Sequence, residues 1–207
     1  MSKPYKSIRV FKSPVLEWFT HVHPLTPLII WVPVISFLLW RCFETHQLSP
    51  YRVGIIGVTG FLFWTLVEYV LHRFLFHWEG QTALARRFHF ILHGLHHDDP
   101  TDPTRLVMPP GASIPLGLLF YSLIQFSLGS AVGDAFFAFF IMGYLAYDYI
   151  HFSVHHFTPR TRIGKYLKQS HMIHHFISPE TRLGVSSPIW DYVFGTLEEV
   201  KDPEQAA

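Results

Sequence analysis

Four clusters of histidine lie beside strongly hydrophobic stretches of the 207-residue chain. Imidazole is the commonest metal-binding side chain, whereas a crowd of metal-free imidazoles repels itself whenever one is protonated. A single histidine on an apolar helix is usually a core residue, but four clusters at helical spacing favour a metal site. The clusters are His72 and His77; His89, His93, His96 and His97; His151, His155 and His156; and His171, His174 and His175.

The spacing within the clusters indicates how many ions they hold. The histidines from His89 to His97 are predicted to share one face of a helix. His72 and His77 diverge by about 140° on an ideal helix, so either the helix bends there or the pair reaches two ions. About ten ligands exceed what one ion accommodates, since a tetrahedral structural zinc needs only four. The sequence therefore predicts a dinuclear site.

The composition points to a membrane protein that binds metal through nitrogen. Hydrophobic residues make up 49% of the chain and charged residues only 15%, which is unlike a soluble domain. A net charge of +1 argues against a nucleic-acid partner. The single cysteine, Cys42, excludes an internal disulfide and a thiolate-rich zinc or iron–sulfur site.

Apolar helices are the elements that must position the histidines. The last two apolar stretches are separated only by Gly129 and Ser130, which predicts an antiparallel hairpin whose tip breaks near Gly133 and Asp134. We predict an all-α integral membrane protein in which residues 1–207 form one domain. It has a histidine-rich cap and four transmembrane helices, at 24–43, 53–71, 114–128 and 131–150.

Lysine and arginine are concentrated in the N-terminal arm, in residues 72–113 and in the C-terminal region. The positive-inside rule therefore predicts that both termini and the cap are cytoplasmic. Residues 1–20 form a basic amphipathic arm that is either bound to the membrane surface or solvated. Residues 199–207 are predicted to be a disordered tail.

A cap of neutral ligands at the edge of the lipid suits oxidation of an acyl chain. Redox-active iron pairs can activate dioxygen to break an unactivated C–H bond, and the membrane gives an acyl chain a dry route to them. Zinc has no redox chemistry, so zinc would be a Lewis acid or a replacement ion.

Six motifs contain or accompany the histidine clusters: 68–74 with His77, 93–97, 105–110, Gly143-Tyr144 with Tyr147-Asp148 and His151, 171–175 and 190–196. Together they resemble the fatty acid 2-hydroxylase branch of the fatty acid hydroxylase and sterol desaturase superfamily. The histidine boxes mark the superfamily, and the Arg-Leu-Val-Met-Pro-Pro stretch at 105–110 singles out the 2-hydroxylases. The resemblance covers roughly residues 8–198.

The resemblance implies a membrane enzyme that inserts one oxygen atom from O2 at C2 of a fatty acyl chain, of ceramide or another membrane lipid. His89 and His156 fall outside the ligand set of the family. The metal ligands that it implies are His72, His77, His93, His96, His97, His151, His155, His171, His174 and His175.

The electron donor and the source of the chain are further expectations. Many members of the family carry a cytochrome b5 domain, which the chain lacks, so we expect a separate redox protein such as cytochrome b5 or ferredoxin, with its reductase. The chain also lacks a dilysine retention signal. A bacterial inner membrane is therefore favoured, with the endoplasmic reticulum expected if the chain is eukaryotic.

Four further side chains are candidate site residues. Glu68 lies four positions before His72 and either accepts the spare N–H of a ligating imidazole or faces water. Asp148 and Asp191 are candidates for the same contact with an imidazole. Arg105 contacts either the polar head of the substrate or a carboxylate at the surface.

Two other classes of function compete with fatty acid 2-hydroxylation. Another enzyme of the superfamily, acting on sterols or carotenoids, would share the cap and differ in its product. A metal transporter or a haem cytochrome would need polar groups or paired histidines in mid-bilayer, where these stretches are almost purely apolar.

Overall fold

The computed structural model describes residues 7–197, in which every regular element is a helix and there is no β-strand. Three helices continue into π-helical turns, at Arg41–Thr45, His72–Phe76 and Phe90–Gly94. The α-helices are α1 (Pro14–Trp18), α2 (Thr26–Trp40), α3 (Pro50–Leu71), α4 (Ala83–His89), α5 (Leu95–Asp98), α6 (Pro110–His156), α7 (Arg162–Phe176) and α8 (Ile189–Val193).

Helix α6 is a hairpin, because the chain reverses direction at Gly129. Gly129 has φ 72° and ψ 168°, a conformation that glycine adopts without steric cost. Phe120 and Phe140 would lie about 30 Å apart on a straight helix, yet their ring centroids are 5.2 Å apart. The reversal lies at the predicted Gly-Ser link. Gly133 and Asp134, where the tip was expected to break, are inside the second arm.

Three helices are long and apolar enough to cross a membrane: Thr26–Thr45, Pro50–Phe76 and Pro110–His156. Their outer faces carry large exposed apolar side chains, including Phe126, which is 92% exposed. Their inner faces meet closely, because a Cβ atom at Gly60 would lie 2.3 Å from the carbonyl oxygen of Phe136. Glycine therefore lets α3 approach the second arm of α6.

A buried polar cluster ties the tip of the hairpin to the end of α2. Asp134 is fully buried and pairs with Arg41 at 3.2 Å and with His46 at 3.0 Å. The amide of Gln125 donates to the same carboxylate at 2.8 Å. Four charged or polar groups therefore hold the end of the bundle that lies away from the histidines.

The N-terminal arm lies at the histidine end of the bundle. The N–H of Val22 donates to the carbonyl oxygen of Thr104 at 2.7 Å, and the hydroxyl of Tyr149 donates to that of Pro24. Trp18, at the end of α1, is 70% exposed. Residues 1–6 of the predicted arm and the whole predicted tail, 199–207, lie outside the described residues.

Candidate metal centre

Ten histidines converge in two groups at one end of the bundle, and they are the ten that the family resemblance implies. Within each group, one ring nitrogen of every imidazole lies within 4.8 Å of the others. The rings of His97 and His175, one from each group, stack at 4.1 Å, so the groups are adjacent. The first group is His72, His77, His93, His97 and His174; the second is His96, His151, His155, His171 and His175.

The first group depends on a widened turn at the end of α3. Residues His72–Phe76 form a π-helical turn, in which the backbone hydrogen bonds span five residues. His72 and His77 therefore project to the same side, and their Nε2 atoms are 3.2 Å apart. The divergence expected on an ideal helix is removed, and both side chains belong to one group.

The second π-helical turn, Phe90–Gly94, changes the register of the next cluster. His93 and His97 belong to the first group, with Nε2 atoms 3.1 Å apart, whereas His96 belongs to the second. His89 belongs to neither of these groups. The prediction that these four histidines share one face is wrong, because the inserted turn separates His89 from the others.

The second group is built where α6 ends and α7 packs against it. The Nε2 atoms of His151 and His96 are 2.8 Å apart, and those of His171 lie 2.9 Å from His155 and 3.0 Å from His175. His156, beside this group, belongs to neither group. One helix end and one short helix therefore supply four of its five imidazoles.

A loop after α7 orients the first group, and sequence analysis missed it. The Nδ1 atom of His72 lies 2.5 Å from the carbonyl oxygen of Leu183, and that of His174 lies 2.9 Å from the carbonyl oxygen of Thr181. Because a carbonyl only accepts, both Nδ1 atoms carry the proton and both Nε2 atoms keep a lone pair for a metal. Backbone carbonyls have no side-chain signature, so no motif pointed to this loop.

Glu68 and Asp191 hold that loop in place. Glu68 is buried and accepts from the N–H groups of residues 185 and 186 at 2.8 and 2.7 Å. Asp191 accepts from those of residues 183 and 184 at 2.7 and 2.8 Å. The two carboxylates therefore bind backbone amides rather than an imidazole, and they act on the ligands through the loop.

Asp148 also binds a loop rather than a histidine. Its carboxylate accepts from the N–H of Met108 at 3.2 Å and from the hydroxyl of Tyr144 at 3.1 Å. Met108 lies in the 105–110 stretch that resembles the 2-hydroxylases. Asp148 therefore fixes this stretch against the second arm of α6.

Arg105 is engaged by the N-terminal arm. Its guanidinium pairs with Glu17 at 2.6 Å and donates to the hydroxyl of Thr20 at 3.1 Å. The side chain is only 5% exposed. This arrangement matches the alternative of a contact with a carboxylate, and a role for Arg105 at the substrate head-group stays a prediction.

The part of the chain that contains the four histidine clusters is similar to a known protein family. Residues 57–196 match the family model described as Fatty acid hydroxylase. The chain belongs to the fatty acid hydroxylase family. It is 37% identical over 193 residues to dihydroceramide fatty acyl 2-hydroxylase FAH2 of Arabidopsis thaliana, which covers 93% of this chain and 81% of that protein.

Two further proteins are similar to this fatty acid hydroxylase over most of its length. Fatty acid 2-hydroxylase of Mus musculus is 36% identical over 214 residues, or 93% of this chain and 57% of the mouse protein. A solved structure described as full length scs7p with only the hydroxylase domain visible has a TM-score of 0.85 and 35% identity. It covers 91% of this chain and 71% of the other.

The ten imidazoles of this fatty acid hydroxylase suit metal ions. Burial and the neighbouring imidazoles lower the pKa of His77 to about 3, and burial lowers the pKa of His174 to about 4, so both are neutral near pH 7. His77 Nε2 faces the Nε2 lone pairs of His72 and His174, and it has only one proton to share. Ligands at right angles on bonds of about 2.1 Å lie about 3.0 Å apart, as these nitrogens do.

Proposed function

We propose that this chain is a membrane-bound fatty acid 2-hydroxylase, which inserts one oxygen atom from O2 at C2 of a fatty acyl chain. The observation that carries the proposal is the pair of five-imidazole groups beside an apolar bundle, in a chain whose relatives are named for 2-hydroxylation. The relatives named for dihydroceramide or ceramide favour the acyl chain of a sphingolipid as the substrate.

Two metal ions are proposed, one in each group of five histidines. Iron is favoured because bound iron supplies the redox chemistry that attack of O2 on a C–H bond requires, which zinc does not. The imidazoles hold the ions without adding charge, and the loop at 181–186 orients two of them. Six of the ten imidazoles are buried, which helps to exclude water from the reacting carbon: His72, His93, His96, His151, His171 and His174.

The bundle is proposed to cross the membrane four times, with the two arms of α6 as separate crossings. The reversal at Gly129 and the exposed apolar surface of both arms support this count. Val22, before α2, and His174, near the end of α7, both lie at the histidine end of the bundle, as an even number of crossings between them requires. The cytoplasm is proposed for that side.

Electrons are proposed to come from a separate redox protein. Hydroxylation of a C–H bond by O2 consumes two electrons and two protons and releases one water, and two metal ions cannot supply electrons over repeated turnovers. Helix α7 carries Arg162 and Lys165, and Arg160 lies just before it. No carboxylate of residues 7–197 pairs with these three cations. An acidic donor would be attracted to this surface, and the association rate would fall with salt.

Lipid analysis of an expression host tests the proposed reaction. Total fatty acids from cells that express the chain should contain new species heavier by one oxygen, which fragment as 2-hydroxy acids. Cells that express His174→Ala serve as the control, because this variant removes a ligand of the first group. New double bonds alone, or hydroxyl groups confined to sterols or carotenoids, would assign the chain to another reaction of the superfamily.

A further inference from the structure

A cavity inside the helix bundle lies next to the metal centre. About 300 Å³ of space, part of it open to the surroundings, lies between α2, α3 and the two arms of α6. Leu71, which directly precedes His72, lines one end, together with Met108, whose N–H is bound by Asp148. The near end of the cavity therefore meets residues that adjoin the histidine ligands.

Aromatic rings close the far end of the cavity. Leu71 and Trp64 both line it and are seven residues apart on α3, so it runs about 10 Å along the bundle. Phe120 and Phe140 meet there across the hairpin with ring centroids 5.2 Å apart. Trp31 of α2 completes the wall, with its ring edge-on to Tyr144 at 6.3 Å.

Trp31 packs closely against Gly117 in the first arm of α6. A Cβ atom on Gly117 would lie 2.3 Å from the tip of its indole ring, so only glycine at that position admits the ring between the two arms. The Trp31 side chain is buried, yet its Nε1 atom has no hydrogen-bond partner within residues 7–197. Packing alone holds the ring, and phenylalanine at this position would lose no hydrogen bond.

We infer that this cavity binds the part of the acyl chain next to the reacting carbon, and that Trp31 determines which chain lengths are accepted. The inference rests on the proposed function and goes beyond it by naming the tail site. Except for Ser113 and the polar atoms of the ring side chains, the lining is hydrocarbon, which suits a saturated chain. A chain longer than the cavity must pass the ring of Trp31 to reach the bilayer.

The test compares the same two substitutions at two positions of the same helix. Trp31→Phe and Trp31→Ala enlarge the cavity, whereas Trp40→Phe and Trp40→Ala remove the same atoms from a tryptophan that is 55% exposed on the outside of the bundle. Each variant is expressed in cells that are fed an equimolar series of saturated fatty acids of graded length. The chain-length distribution of the 2-hydroxy products is measured by mass spectrometry, independently of their total amount.

The Trp31 variants should shift the distribution toward longer chains, and the Trp40 variants should match the unmodified protein. One methylene in an apolar pocket typically changes discrimination about tenfold, so the ratio of long to short products should change by about that factor. If Trp31→Phe makes 2-hydroxy acids with an unchanged distribution, Trp31 does not determine chain length. If Trp31→Ala loses its metal, Trp31→Phe alone decides.

A second readout does not depend on the reaction. The protein in phosphatidylcholine nanodiscs is photolabelled with a fatty acid that carries a diazirine on its tail, and the labelled peptides are mapped. Labels on residues 113–120 or on Trp31 that excess fatty acid blocks support the cavity, even if no 2-hydroxy acid forms and the proposed function fails. Labels that are confined to lipid-facing residues such as Phe126 and are not blocked would show that bilayer lipid alone surrounds the bundle, and would overturn the inference.

Discussion

Imidazole orientation differs between the two histidine groups. In the first group, His72 and His174 donate from Nδ1 to backbone carbonyls. In the second group, the Nδ1 atoms of His96, His151, His171 and His175 are buried and have no partner within residues 7–197. Hydrogen bonds to the outer nitrogen of a ligand typically raise metal affinity about 10- to 100-fold. The first group is therefore expected to hold its ion more tightly.

Removal of metal by a chelator should accordingly occur in two phases. Dialysis of the purified protein against increasing chelator, followed by metal analysis, should release one equivalent at a lower concentration than the other. His155→Ala should abolish the weaker phase and His174→Ala the stronger one, since these residues lie in different groups. A single phase that both variants affect equally would contradict this difference between the groups.

A pair of alanine substitutions tests the assignment of the 89–97 cluster. His93→Ala should lose metal and activity, because His93 is a buried member of the first group. His89→Ala should keep both metal equivalents and lose at most part of the rate. Metal content and product formation check both variants, and loss of a full equivalent in the His89 variant would show that His89 is a ligand.

At the scale of residues, the sequence predicted the histidines but not how they are oriented. Ring nitrogens at helical spacing pointed to the two groups because imidazole is chemically distinctive. The partners of His72 and His174 are the carbonyls of residues 183 and 181, and any amino acid supplies a carbonyl. The roles of Glu68 and Asp191 follow from the position of that loop, which only the tertiary fold determines.

At the scale of elements, the π-helical turns decide which histidines meet. Local spacing predicts the α-helical register, and a turn that is one residue wider has no strong sequence signature. The hairpin was predictable because glycine at 129 marks the reversal directly. The His72–Phe76 turn was foreseen only as a conflict between five-residue spacing and helix geometry.

Removing or adding one residue in the His72–Phe76 turn tests whether its width positions the two histidines. Deletion of Phe74, which is 63% exposed, leaves a spacing of four between the two histidines, and an α-helix keeps that spacing on one face. This variant should retain both metal equivalents. Insertion of one alanine after Phe74 makes the spacing six, which turns the second histidine away and should release the ion of the first group. Metal analysis of both variants checks this expectation, and equal loss from both would contradict it.

At the scale of the whole molecule, burial of neutral imidazoles makes the cap sensitive to acid. Burial and neighbouring imidazoles lower the pKa of His77 to about 3 and of His97 to about 4, from 6.5. Below pH 6.5 the unfolded chain therefore binds more protons than the folded chain, so stability falls as the pH falls toward 4. The melting temperature of the metal-free protein should be level above pH 7 and decline between pH 6.5 and 4. An unchanged value at pH 5 would contradict this burial.

Orientation in the membrane also belongs to the whole molecule. The cap is surrounded by Arg73, Arg86 and Arg87 before its second cluster and by Arg160 and Arg162 after its third, whereas the hairpin tip carries no cation. Basic segments next to membrane-spanning helices stay in the cytoplasm when the protein inserts into the membrane. Four crossings would then place the hairpin tip and the 46–49 loop on the other side.

Reporter fusions distinguish this orientation from its reverse and from three crossings. A reporter after Ala207 should be active in the cytoplasm, and one inserted between Gly129 and Ser130 should be active on the opposite side, because the chain reverses there and a Cβ atom at Gly129 would meet nothing within 4 Å. Opposite signals from these two sites require that the second arm of α6 crosses the membrane on its own. If both reporters were cytoplasmic, the arms of α6 would not be separate crossings, although the histidines would still converge as they do. If the signal after Ala207 were extracytoplasmic, electrons would have to reach the metal centre from outside the cell, and a cytoplasmic donor would be excluded.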